Sequence, residues 1–186
     1  MRRRRHSVAL VKVGGDPRKP RVVRRGVRSL RKTLGRPRAV EVFGKGPSFR
    51  VPSLKKRTLR LVINDTLAMV PAKGFRVFVF KDIEALERMV KRAPAAFKSL
   101  RLVVCPYRAH RLNGAQKVSL SHTLQVLSKV YRGLLLVYNL HTSGPDKRFY
   151  SFRGKCFNSA VTAAYFITHF LQRRVRVTTY GIRRRP

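Results

Sequence analysis

Seven carboxylate side chains share this chain with 44 lysines and arginines, and that imbalance limits what it can fold into more than any other feature. A formal net charge of +37 on 186 residues repels itself in any compact state, yet 44% of the residues are hydrophobic, enough to build a core. Such a chain needs negative charge from outside itself, and a polyanion is the natural source. The acids are Asp16, Glu41, Asp65, Asp82, Glu84, Glu87 and Asp146, whereas basic residues run from Arg2 to Arg185 with no neutral domain anywhere.

The layout of the charge separates the polyanions. A membrane-surface protein gathers Lys and Arg on one amphipathic helix or one juxtamembrane cluster, and a spanning helix needs about 18 continuous apolar residues, which no stretch here reaches. No membrane partner is expected. Arginine dominates both ends, and its planar fork clamps phosphate with two hydrogen bonds while also stacking on bases. Structured RNA is therefore the expected partner.

At this length one domain is the default. Cys105 and Cys156 are far apart and form no C-x-x-C pair, so neither a disulfide framework nor a zinc ribbon is indicated, and a reducing compartment fits. Met1 to His6 is basic but is not followed by the apolar core of a signal peptide. An Arg-rich, acid-poor start is also the character of a mitochondrial presequence, and the mitochondrial matrix is the favoured location. The same start reads equally as an RNA-binding arm.

Along the chain, residues 1–57 read as a basic extended arm, because Gly14, Gly15, Pro17, Pro20, Gly26, Gly35, Pro37, Gly44, Gly46, Pro47 and Pro52 interrupt every long element. Only a short helix around 27–34 is compatible with that punctuation. From Thr58 the pattern changes: 59–63 and 75–80 predict strands, Asp82 caps a helix with Ile83, Leu86, Met89 and Val90 on one face, and 100–105 predicts a further strand. Glu84 and Glu87 in the first turns and Arg88, Lys91 and Arg92 in the last suit the helix dipole, which gives these carboxylates a structural role. After a basic loop carrying Arg108, His110, Arg111, Asn113 and Gly114, Ser119 or Ser121 opens a second helix, 134–140 is a strand of the fully buried kind, and 148–152 returns as a strand. Asn158 or Ser159 begins a third helix, and 174–180 is the closing strand. Residues 58–105 and 133–180 both read strand, strand, helix, strand. The expectation is an α+β fold: one mixed sheet with about three packed helices in a core spanning 58–181, followed by a basic tail at 182–186.

Little in the chain carries catalytic chemistry. Gly44-Lys45-Gly46 and Gly154-Lys155-Cys156 lack the upstream glycine and following hydroxyl of a nucleotide-binding loop. Cys156 beside Lys155 at a helix start is a setting that lowers a thiol pKa, but no spacing ties it to His141 or His169 as a base. A nuclease needs acids converging on one metal, and here they are scarce and dispersed. No catalytic residue, metal, cofactor or small-molecule substrate is expected.

Basic clusters interleaved with aromatics and glycines remain. The candidate RNA contacts are Arg2, Arg3, Arg4, Arg5, Arg18, Arg21, Arg24, Arg25, Arg28 and Arg31 in the arm, then Lys55, Lys56 and Arg57, Arg108 and Arg111, Arg153 and Lys155, Arg173 and Arg174, and Arg183, Arg184 and Arg185. A solvated charged face is the competing reading for each cluster. Phe149, Tyr150 and Phe152, just before Arg153 and Lys155, resemble aromatics on which single-stranded bases stack, although on a strand some of them must face the core.

A small acid-poor α+β core with Arg-rich ends looks like a ribosomal protein. Within residues 133–186, the strands, the helix carrying Asn158-Ser159-Ala160-Val161-Thr162-Ala163-Ala164, and Arg174-Val175-Arg176-Val177 before Gly181 resemble the small-subunit family S-eleven. That family's glycine-rich loop and second helix have no counterpart after Gly181, so the resemblance implies the class and not the family. It implies a structural constituent of a ribosome, the mitochondrial one favoured, bound to ribosomal RNA and neighbouring ribosomal proteins without catalysis. A non-ribosomal assembly or RNA-processing factor is the alternative, and an RNA-modifying or cleaving enzyme a third.

Overall fold

The computed structural model describes residues 8–24, 30, 33–106, 108–111, 114–138, 159–171 and 175–182. Among the described residues the strands and α-helices follow in the order β1 (Val8–Lys12), β2 (Arg21–Arg24), β3 (Ala39–Phe43), β4 (Thr58–Ile63), α1 (Thr66–Met69), β5 (Phe75–Val79), α2 (Ile83–Arg92), β6 (Leu100–Pro106), β7 (Ala109–Arg111), β8 (Gly114–Val118), α3 (Leu120–Leu127), β9 (Leu134–Tyr138), α4 (Ser159–Phe170) and β10 (Arg176–Tyr180). Eight strands form one mixed sheet in the order β10-β3-β4-β5-β6-β9-β1-β2. The six from β10 to β9 run parallel, and β1 and β2 close that edge antiparallel.

Parallel strands need cover on both faces, which explains the apolar run of β9 and that of β6 from Leu102 onward. Alternate residues divide between two cores. Val40, Leu59, Leu61, Val77, Val79, Leu102 and Val104 pack with Phe166 and Phe170 of α4 and with Leu30 and Leu34. On the opposite face, Phe43, Val62, Phe78, Val103 and Leu135 pack with Ile83, Leu86 and Met89 of α2 and with Leu124 and Leu127 of α3. Ser119 does cap α3, its Oγ accepting from the backbone N–H of His122 at 3.1 Å.

Three findings depart from the sequence reading. First, the arm expected at 1–57 contains three strands of the sheet: Leu10, Val11, Val13, Val40, Val42 and Phe43 are all buried. Glycines and prolines mark the turns between short strands there, so the core does not begin at residue 58. Second, in place of the basic loop expected through Arg108, His110, Arg111 and Gly114, the chain forms the separate hairpin β7–β8, with Ala109 and Val118 buried. Third, the shared strand, strand, helix, strand reading of 58–105 and 133–180 does not carry through to the sheet order. Strands β4, β5 and β6 are adjacent, whereas β9 and β10 are separated by four strands; the strand expected at 148–152 lies outside the described residues.

A charged row crosses the sheet inside the core. Register places Glu41 beside Arg60 and Arg60 beside Arg76 on adjacent strands. Arg60 is 2% exposed and Arg76 0%. Arg60 donates from Nε to Glu41 Oε2 at 2.9 Å and from a terminal nitrogen to the Pro52 carbonyl at 2.7 Å. Arg76 donates to Ser99 Oγ and to the Leu67 carbonyl, both at 2.9 Å, while its Nε has no partner. Burial, and then the neighbouring Arg60, push the Arg76 guanidinium below its ordinary pKa.

The β3–β10 junction depends on glycine. Gly181 has φ 65°, and a Cβ there would collide with the Gly44 carbonyl, which approaches because the Gly44 N–H donates to the Tyr180 carbonyl at 2.8 Å. Gly181→Ala is expected to destabilise the fold by about 2–3 kcal/mol, since left-handed backbone and overpacking both add cost. The loss is bounded because β10 is a largely exposed edge strand that can detach. A melting curve indistinguishable from wild type would show that this junction carries no stability.

Candidate nucleic-acid interface

Because six strands run parallel, all their starts lie on one edge of the sheet, and what precedes each start is basic. Arg36 and Arg38 lead into β3, Lys55, Lys56 and Arg57 into β4, Lys73 into β5, Lys98 into β6, Arg132 into β9, and Arg176 opens β10. Antiparallel pairing brings Lys12, at the end of β1, opposite Leu134 at the start of β9, with Arg21 beside it. The β1–β2 turn adds Arg18 and Lys19. All these side chains are exposed, and among the described residues Asp16 is the one carboxylate beside them, its Oδ1 accepting the Arg18 backbone N–H at 2.9 Å.

Backbone contacts fix the centre of this edge. The Arg38 N–H donates to the Arg57 carbonyl at 2.9 Å, the Arg176 N–H to the Arg38 carbonyl at 3.3 Å, and the Arg57 side chain to the Arg36 carbonyl at 3.1 Å. Arg57 adopts φ 58°, a left-handed conformation uncommon for a non-glycine residue. Among the described residues, Arg36, Arg38, Arg57 and Arg176 enter no ion pair. Four guanidinium groups on tied backbone segments are suited to fork-like hydrogen bonding with phosphate.

The opposite edge, where the parallel strands end, is compensated. Asp65 accepts from Arg88 Nε at 2.8 Å and lies 3.6 Å from Lys45 Nζ; Lys81 pairs with Asp82 at 3.3 Å, Arg111 with Glu84 at 3.8 Å, and His122 with Glu87 at 3.3 Å. Burial raises the Asp65 carboxyl, but hydrogen bonding and charge from Arg88 and Lys45 outweigh it and leave the pKa below the ordinary value. Burial, Lys81 and Lys117 lower the His110 pKa, with Asp82 opposing. Cys105 is fully buried, which pushes its thiol far up and removes it as a nucleophile. No group of three or more metal-ligating side chains occurs among the described residues.

Of the residues expected to touch RNA, the structure brings Arg18, Arg21, Lys55, Lys56 and Arg57 to the strand-start edge. It places Arg108 and Arg111 at the other edge, with Arg111 paired to Glu84. Arg24 ends β2, and its side chain is outside the description. Arg2 to Arg5, Arg25, Arg28, Arg31, Arg153, Lys155, Arg173, Arg174 and Arg183 to Arg185 lie outside the described residues, as do Cys156 and Phe149 to Phe152. The sequence reading missed Lys12, Lys19, Arg36, Arg38, Lys73, Lys98, Arg132 and Arg176. Their shared signal is position: each parallel strand is preceded or opened by a cation. No helix among the described residues is long and apolar enough to cross a membrane. Comparison with protein-family models, curated proteins and solved structures gives no match.

Proposed function

We propose that this protein is a structural RNA-binding component of a ribonucleoprotein particle, seated on RNA phosphates through the strand-start edge. The observation that carries the reading is the separation of charge: acids pair with cations at one edge, while the other presents arginines and lysines with no paired carboxylate among the described residues. A merely solvated charged surface has no reason to sort its charges this way, whereas a phosphate backbone gives one. The ribosome, the mitochondrial one favoured, is the particle that best suits an acid-poor chain with Arg-rich ends, and neighbouring ribosomal proteins are the proposed further partners.

Gradient sedimentation of a mitochondrial lysate tests this reading. A ribosomal constituent is expected to travel with one subunit at one copy per particle and to remain bound through a high-salt wash. Release by salt would identify an assembly or processing factor instead. Absence from every RNA-containing fraction would refute the proposal.

A further inference from the structure

Phe75 is the one aromatic side chain among the exposed large hydrophobic residues described, and it stands on the strand-start edge. It is 38% exposed and opens β5 directly after Lys73 and Gly74. The turn that presents it is held in place. The Lys73 N–H donates to the Pro71 carbonyl at 2.8 Å, and Gly74 takes φ 77°, with Leu54 packed so closely that a Cβ would sit 2.8 Å from its Cδ2. From the neighbouring strand, Arg101 lays its guanidinium over the ring, 4.8 Å from the centroid. Arg101 is exposed and sits at the register shift between β5 and β6, where Arg76 pairs with Leu100 but Val77 with Leu102.

An exposed phenylalanine in a mainly cationic rim adds nothing to phosphate attraction, and a polar residue would be better hydrated there. A ring and a guanidinium plane beside a phosphate-binding surface are, however, the parts that hold an unstacked base. We infer that Phe75 and Arg101 form a stacking platform for an unpaired RNA base, so that the edge engages single-stranded or looped RNA in preference to continuous duplex. The inference rests on the proposed RNA-binding function and deepens it. Within a duplex the bases are already stacked on each other and offer no free face to Phe75, whereas a flipped or looped base does. The phosphates flanking such a base would lie against Lys73, Arg57 and Lys98.

Binding of the full chain to an oligoadenylate of about 12 nucleotides and to an RNA duplex of the same length separates the possibilities. Phe75→Ala is expected to weaken oligoadenylate binding about tenfold, the scale of one lost base–aromatic stack, and to leave duplex binding within about twofold. Arg101→Lys keeps the charge and loses the plane, and is expected to weaken oligoadenylate selectively as well. The chain contains no tryptophan, so Phe75→Trp creates a single fluorescent reporter that keeps the stacking function. Its emission should be quenched by oligoadenylate and far less by duplex. Equal loss on both RNAs in Phe75→Ala, or unchanged emission in Phe75→Trp while oligoadenylate binds, would overturn the platform and leave the RNA-binding reading standing. Failure of the wild-type chain to bind either RNA would remove that reading, and the platform with it.

Discussion

A chain that begins at residue 25 is expected to lose cooperative folding altogether. The truncation removes β1 and β2, and with them the buried Leu10, Val11 and Val13. Burying each such side chain is worth about 1.5–3 kcal/mol, so the three together contribute about 4.5–9 kcal/mol, comparable to the whole stability of a typical domain, about 5–15 kcal/mol. Backbone pairing goes as well: β1 matches β9 from Val8 opposite Tyr138 to Lys12 opposite Leu134, and the Val13 N–H donates to the Gly133 carbonyl at 3.1 Å. What is left exposed is the edge of β9, Leu134 to Tyr138, an apolar strand with every feature of an aggregation template. Circular dichroism and thermal melting decide the matter. A soluble truncated chain that melts cooperatively within about 10 °C of the full chain would show that β1 is dispensable.

Glu41→Gln is expected to destabilise the protein by about 3–5 kcal/mol although it keeps shape and one hydrogen-bond acceptor. Glu41 is the only carboxylate in the buried row, with Arg60 on the adjacent strand and Arg76 on the strand beyond. Removing its charge leaves the buried Arg60 guanidinium without its ion-pair partner and beside Arg76, itself buried and in no ion pair among the described residues, which is costly out of water. The double variant Glu41→Leu with Arg60→Met is expected to recover more than half of that loss, because replacing a buried ion pair by apolar groups of similar size is often close to neutral. Chemical denaturation of the three proteins gives the comparison. A Glu41→Gln protein within about 0.5 kcal/mol of wild type would mean that the row is not electrostatically coupled.

Much of the fold could be read from composition and period. Strands at 59–63, 75–80 and 100–105 are dense in β-branched and aromatic residues, and the helix after Asp82 carries apolar residues at helical spacing before Pro94 stops it. Strands β1 to β3 were not legible for a physical reason. Each is four or five residues long and carries a charge, as in Ala39-Val40-Glu41-Val42-Phe43, between glycines and prolines that signal loop. Glu41 looks like a surface residue until Arg60 is opposite it, and that pairing spans 19 positions. Long-range pairing decides such strands, not local propensity.

The candidate interface shows the same division. Arg18, Arg21 and the run Lys55 to Arg57 stand out as clusters, whereas Lys73, Lys98, Arg132 and Arg176 are single cations indistinguishable from a solvated surface. They become one feature only when the parallel order puts every strand start on the same edge. Phe75 was read as part of a strand, and nothing in its immediate neighbourhood marks it as exposed; its position at the strand's first residue does.

The dependence of RNA affinity on salt, measured for two sets of substitutions, addresses the strand-start edge most directly. Each neutralised phosphate contributes about 0.9 to the slope of log affinity against log salt on a duplex and about 0.7 on single strands. Replacing Arg36, Arg38, Arg57 and Arg176 together by Gln should therefore flatten the slope by about 3. Replacing Lys45, Arg108, Arg111 and Lys117 by Gln removes as many charges from the other edge and should leave the slope almost unchanged. Equal flattening by the two sets, with both proteins folded, would contradict a dedicated RNA-binding edge, and an unchanged slope in the first set would return its charge to the status of a solvated surface.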